Sequence, residues 1–128
     1  MGVDSRAPSA GAPGVGPGWL RVAAELAKLI PPDEVVSLWV FPAVRREERE
    51  WGTVVVARRA EAERVRVYTA RFVQVIRGRE KGQGRVVIDE VAECPQAVIF
   101  EVLKGVQERM AEAVPPVEIS PSAWYPAP

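Results

Sequence analysis

Residues 34–93 constrain the fold most, because they hold four runs rich in β-branched and aromatic residues, separated by clusters of charge and glycine. Runs of this composition are typical of β-strands, and the clusters between them are typical of turns. The stretch therefore predicts four strands joined by three hairpin turns, which together form an antiparallel meander. The predicted strands are residues 35–44, 53–59, 64–77 and 85–92.

An amphipathic helix is predicted on each side of the strands. The first covers residues 19–30, and the second begins beside Pro95 and continues to about residue 113. Each has apolar residues at helical spacing and charged residues elsewhere, and each ends at a Pro-Pro pair that cannot continue the helical hydrogen bonds. The apolar positions are Trp19, Val22, Leu26, Leu29 and Ile30 in the first helix, and Ile99, Val102, Leu103, Val106, Met110 and Ala113 in the second.

The order α-β-β-β-β-α predicts an α+β fold, a four-stranded antiparallel meander flanked by an N-terminal and a C-terminal helix. We expect one domain over residues 19–114, with both helices on one face of the sheet. Residues 1–18 are rich in Gly, Ala, Pro and Ser and are expected to form a disordered tail. Residues 115–128 are rich in proline, and the sequence leaves open whether this C-terminal tail is disordered or docks on the sheet.

Composition argues against several classes of protein. The formal net charge is zero, so we expect no strong general attraction to nucleic acids or anionic membranes. No apolar run approaches the roughly 18 residues that a membrane span needs, and the N-terminus has no pattern of a signal peptide. The expectation is a cytoplasmic protein without a membrane span.

The residue types give little support to catalysis. Histidine is absent, so neither a Ser-His-Asp triad nor a histidine metal site can form within this chain. We therefore predict no catalytic residue, no metal site, no cofactor and no enzyme activity, and the sequence specifies no small-molecule ligand. Cys94 is expected to be a small buried apolar residue. Only a deep pocket lined by Cys94, Asp89 and Tyr68 would favour an enzyme.

The first predicted strand is apolar on both faces. Val36, Leu38 and Val40 alternate with Val35, Trp39 and Phe41, whereas a sheet with one wet face alternates apolar and polar residues. A bulge near residues 69–71 would explain a similar mixture in the third strand. No bulge is expected in strand one, so its two apolar faces are not explained in this way. Two helices of this length cover only about one face of a four-stranded sheet.

The second face therefore needs another cover, which is a second copy of the chain, a protein partner or the C-terminal tail. This predicts a non-enzymatic protein-interaction or assembly module, with a homodimer as one form. The predicted contact residues are Trp39, Phe41, Tyr68, Phe72, Trp124 and Tyr125.

Weak nucleic-acid binding is the alternative. Residues 45–93 hold twelve basic and nine acidic residues, so this part of the chain is mildly positive. Glutamates lie among the arginines, however, and a surface that follows phosphates would exclude them. The arginines that would serve this function are Arg58, Arg66, Arg71, Arg77, Arg79 and Arg85.

Overall fold

The computed structural model describes residues 17–46, 49–77, 80–110 and 115–125. Most of the predicted N-terminal tail and the predicted last residues of the second helix lie outside these ranges. The helices are α1 (Pro17–Leu29), α2 (Ile99–Arg109) and the one-turn α3 (Pro121–Trp124), and the strands are β1 (Val35–Arg46), β2 (Arg49–Arg59), β3 (Arg64–Arg77), β4 (Glu80–Pro95) and β5 (Val117–Glu118).

The sheet is antiparallel, and its strand order is β4-β3-β2-β1-β5. The first four strands form the predicted meander, so the α+β class and the antiparallel sheet are confirmed. The fifth strand is an addition, because the chain returns after α2 and pairs with the free edge of β1. There Val117 lies opposite Val40, and the backbone N–H of Ile119 donates a hydrogen bond to Leu38 at 2.8 Å. The C-terminal segment is thus docked over residues 117–125.

The two long helices lie on opposite faces of the sheet. Leu26 of α1 packs with Leu38 and Val54 on one face, whereas Leu103 of α2 packs with Phe41 on the other. The expectation that both helices share a face is therefore wrong. The physical reason lies in the sequence pattern of β1 and β2, whose side chains are apolar in both directions and need a cover on each side.

The alternation of β3 is regular where a bulge was expected. Residues 68–74 pair with residues 84–90 of β4 without interruption, so the predicted bulge near residues 69–71 is wrong. The irregularity lies one step earlier, between Val67 and Tyr68, where β4 contains Val91 as an extra residue. The strand therefore keeps one set of side chains on the α2 face along this length, and this set includes Thr69.

Candidate functional site

Trp39 and Phe41, the strongest predicted contact residues, are part of the core. Phe41 is 0% exposed and Trp39 is 9% exposed, and both pack on the α2 face with Leu103 and Val106. The prediction had left this face uncovered, and the error follows from placing both helices on the opposite one. The sheet face is therefore covered at Trp39 and Phe41.

Tyr68 and Phe72 lie on the other face, beside α1, where both are partly buried. Phe72 packs closely on Gly84, since a Cβ at that glycine would overlap its ring. The Arg21 guanidinium lies 5.1 Å from the ring centroid, within the range of a cation–π interaction. Contacts within the chain thus occupy much of the Phe72 ring.

Trp124 and Tyr125 close the α1 face, and each is 7% exposed. The Trp124 ring packs edge-to-face on Trp19 with the ring centroids 6.1 Å apart. The Tyr125 hydroxyl is buried without a hydrogen-bond partner among the described residues. Burial raises the pKa of Tyr125 to about 12, because the phenolate would lose its hydration. These two predicted contact residues therefore stabilise the protein's own fold.

Two of the candidate arginines are paired with carboxylates. Arg58 donates from Nε to Glu34 at 2.8 Å, and its second guanidinium nitrogen lies 2.7 Å from the same carboxylate oxygen. Arg66 donates to Glu93 at 3.2 Å. This hydrogen bond, with the nearby acidic charges, raises the pKa of Arg66 above its usual value. Both guanidiniums are engaged by acidic neighbours rather than aligned on a free surface.

The candidate arginines are also divided between the two faces. Arg58 of β2 lies directly opposite Arg66 of β3 in the sheet, and both are on the α1 side. Arg71, by contrast, lines a cavity with residues of α2. Arg85 lies opposite Val73 at the exposed edge strand. The Arg77 side chain and all of Arg79 lie outside the part that the structure describes. Among the described residues the geometry does not gather these arginines into one basic surface, and nucleic-acid binding stays an untested alternative.

A surface that the sequence did not reveal lies around Phe100. This side chain is 64% exposed, although its ring packs edge-to-face on Trp39 with centroids 5.4 Å apart. Beside it is a mostly apolar cavity of about 260 Å³, which we call the α2 groove; its lining residues are Trp39, Phe100, Leu103, Lys104, Gln107 and Pro116. A large aromatic residue outside the apolar stripe of the second helix was the available sequence signal.

A second cavity, which we call the Arg71 cavity, lies under the C-terminal end of α2. Its volume is about 380 Å³, and polar residues of the sheet face apolar and basic residues of the helix across it. No sequence motif marks it, because its residues come from four separate elements. The lining residues are Thr53, Thr69, Arg71, Asp89, Val91, Val106, Arg109 and Met110.

The pocket that would have favoured an enzyme is not formed. Cys94 is buried beside Val65 and α2, Asp89 lines the Arg71 cavity, and Tyr68 lies on the opposite face. Within the described ranges, no group of three or more acidic or cysteine side chains is placed to hold a metal ion. The helices seen in those ranges are all too short or too polar to cross a membrane.

Comparison with known proteins gives no match, neither to a family model, nor to a curated protein, nor to a solved structure. The fold and surfaces define a small α+β domain with a helix on each face of an antiparallel sheet. Two cavities lie along α2. Function is therefore inferred from those surfaces.

Proposed function

We propose that this protein is a non-enzymatic assembly module, and that it pairs with a second copy of itself through the α2 groove. The observation that supports this proposal is the exposure of Phe100, which presents 64% of its surface beside a mostly apolar cavity. An aromatic side chain next to a pocket is typical of the anchors that contribute most to binding at protein interfaces. The sheet face predicted from the sequence is replaced in this role by the helix surface.

The shape of the surface favours a second copy as the occupant. A two-fold dimer uses the same patch on both subunits, so the patch must be complementary to itself. Here a projecting ring and a cavity lie side by side, and the cavity volume of about 260 Å³ can accommodate an aromatic side chain. Phe100 of each copy would enter the groove of the other, which would bury both rings.

The charges on α2 are compatible with this pairing. Glu101 and Lys104 are both exposed and lie one helical turn apart, next to Phe100. Each copy therefore presents Lys104 in the lining of the groove and the exposed Glu101 next to Phe100 in the chain. In a two-fold arrangement, opposite charges can face each other across the interface, where they contribute more to orientation than to affinity.

The test is the molar mass of the protein in solution, measured by light scattering and sedimentation across a concentration series. The wild type should form a dimer whose fraction rises with concentration. Phe100→Ala should weaken the dimer by roughly thirtyfold or more, because truncation of an interface anchor costs about 2 kcal/mol or more. A wild type that stays monomeric up to about 1 mM, the concentration range of the weakest associations, would overturn the proposal.

Leu20→Ala is the matched control for the Phe100 variant. Leu20 is a large apolar residue of similar exposure, 55%, but it lies on α1 at the opposite face. Its truncation should leave the dimer unchanged, and circular dichroism should show that both variants keep the fold. If Phe100→Ala and Leu20→Ala dimerise like the wild type, the α2 groove is the wrong surface. If the wild type is monomeric, the proposal of self-association fails, and an occupant of the groove would have to be a different protein.

A further inference from the structure

The α2 face of the sheet changes from apolar to polar along its length. Val55, Val65 and Val67 lie under α2 and are 0% exposed. Further along β3 on the same face are Thr69 and Arg71, which line the Arg71 cavity together with Thr53 of β2 and Asp89 of β4. Thr53 is 9% exposed, whereas Arg71 and Asp89 are exposed, so this end of the face is polar and open to solvent beside the helix.

The cavity has the size of a small-molecule site, and its lining is divided between polar and apolar residues. Its volume of about 380 Å³ lies within the range of ligand pockets, although its lining is more polar than that of most such pockets. Val91, Val106 and Met110 supply the apolar surface, and two hydroxyls and three charged groups supply the polar one. An amphipathic ligand fits this division.

The charges of the lining favour a single negative charge on the ligand. Arg71 and Arg109 provide two guanidiniums, whereas Asp89 provides one carboxylate. In the part of the chain that the structure describes, no ion pair joins any of these three to another side chain. The carbonyl end of α2 adds a partial negative charge. The remaining positive excess is small, which suits a monoanion better than a polyphosphate.

We propose that the Arg71 cavity binds a small organic carboxylate. The ligand carboxylate would lie between the guanidiniums of Arg71 and Arg109, since guanidinium–carboxylate pairs form strong, charge-assisted hydrogen bonds. The hydroxyls of Thr53 and Thr69 supply further donors at the sheet side. The apolar part of the ligand would pack on Val91 and its neighbours from α2. This site is independent of the α2 groove.

Hexanoate is the probe that we would use, with hexanamide as its uncharged counterpart of nearly the same shape. Titration of the isotope-labelled protein should give saturable shifts of the backbone amides of Thr69, Arg71, Asp89 and Arg109. Hexanamide should bind at least about tenfold more weakly, because it lacks the charge-assisted hydrogen bonds. Inorganic phosphate serves as a third probe and should bind more weakly than hexanoate, because it cannot use the apolar surface.

Variants separate this site from nonspecific attraction to basic residues. Arg71→Gln should lower hexanoate affinity roughly tenfold, the cost of one charge-assisted hydrogen bond, and Arg109→Gln should act in the same direction. Arg85→Gln is the matched control, because Arg85 is an exposed arginine that does not line the cavity. The proposal is overturned if hexanoate gives no saturable shifts up to about 10 mM, a very weak affinity. It is equally overturned if Arg85→Gln and Arg71→Gln weaken binding to the same extent.

Discussion

The two faces of the sheet are covered in different ways. The α1 face is covered by α1 together with the C-terminal segment, whose Ile119, Trp124 and Tyr125 complete its core. Among the described residues, the α2 face is covered mainly by α2, a helix of 11 residues, with Pro116 at the edge beside Trp39. Both of the cavities described above are lined by residues of α2.

This difference shows how a small domain can form candidate binding surfaces and still keep its core. A sheet apolar on both faces requires two covers, but a short helix covers only part of its face. Where α2 contacts the sheet, the side chains are apolar, and they include Trp39 and Phe41 as well as valines. Where it ends, polar residues and open volume appear. We therefore expect substitutions on the α1 face to change stability, and substitutions beside α2 to change binding.

The largest effect expected is that of Trp124→Ala. This residue is 7% exposed and packs on Trp19, so its truncation should lower the free energy of unfolding by about 3–5 kcal/mol. Phe100→Ala, on the α2 side, should cost no more than about 1.5 kcal/mol, the value of its aromatic pair with Trp39. Urea unfolding at a concentration that keeps the chain monomeric measures both. A larger loss for Phe100→Ala would contradict the contrast between the faces.

The next effect is a loss of stability at alkaline pH through Tyr125. Its pKa is raised to about 12, whereas tyrosine in the unfolded chain ionises near 10, so the unfolded state loses its proton first. The folded protein should therefore lose up to about 2.5 kcal/mol between pH 10 and 12, with the full stabilisation present below pH 10.

Tyr125→Phe is the comparison for this pH effect. The variant should lack that part of the pH dependence. It should also be more stable at neutral pH by about 1 kcal/mol or more, because it removes a buried hydroxyl that has no partner among the described residues. Unfolding by urea at several pH values gives both quantities. Parallel curves for the two proteins from pH 8 to 12 would show that the phenol ionises equally easily in the folded state.

The smallest effect is expected for Thr69→Val on the α2 face. Valine continues the row formed by Val65 and Val67, so the free energy of unfolding should rise by about 0.5–1 kcal/mol. The same change removes a donor from the Arg71 cavity and should weaken the binding of hexanoate severalfold. A loss of stability would instead indicate that the Thr69 hydroxyl has a structural role and would weaken the case for a binding site there.

Several elements followed from the sequence because local pattern determines them. The third predicted strand, residues 64–77, matches β3, since its β-branched residues and flanking turns are local signals. The first helix begins at Pro17, two residues before its predicted start. Its predicted apolar residues are buried except Leu29, which is 58% exposed. The buried state of Cys94 also agrees with the expectation from the residue type.

Other features depended on contacts between distant parts of the chain. Trp39 and Phe41 are apolar enough for either a core or an interface, and only the position of α2 makes them core. Trp124 is buried because the chain returns to the free edge of β1, which no local pattern indicates. The sequence does not predict the exposed surface around Phe100 or the Arg71 cavity, because the residues that form each of them come from several elements.

The sequence by itself determined the four strands of the meander and the two long helices, and largely which side of each of these helices is apolar. Periodicity and turn residues act over a few positions, so these choices are fixed within each segment. Tertiary structure decided which face of the sheet each helix covers, where the C-terminal segment docks and which side chains surround the two cavities. These outcomes depend on how the apolar surfaces of all segments are shared between the two faces, which is a property of the whole chain.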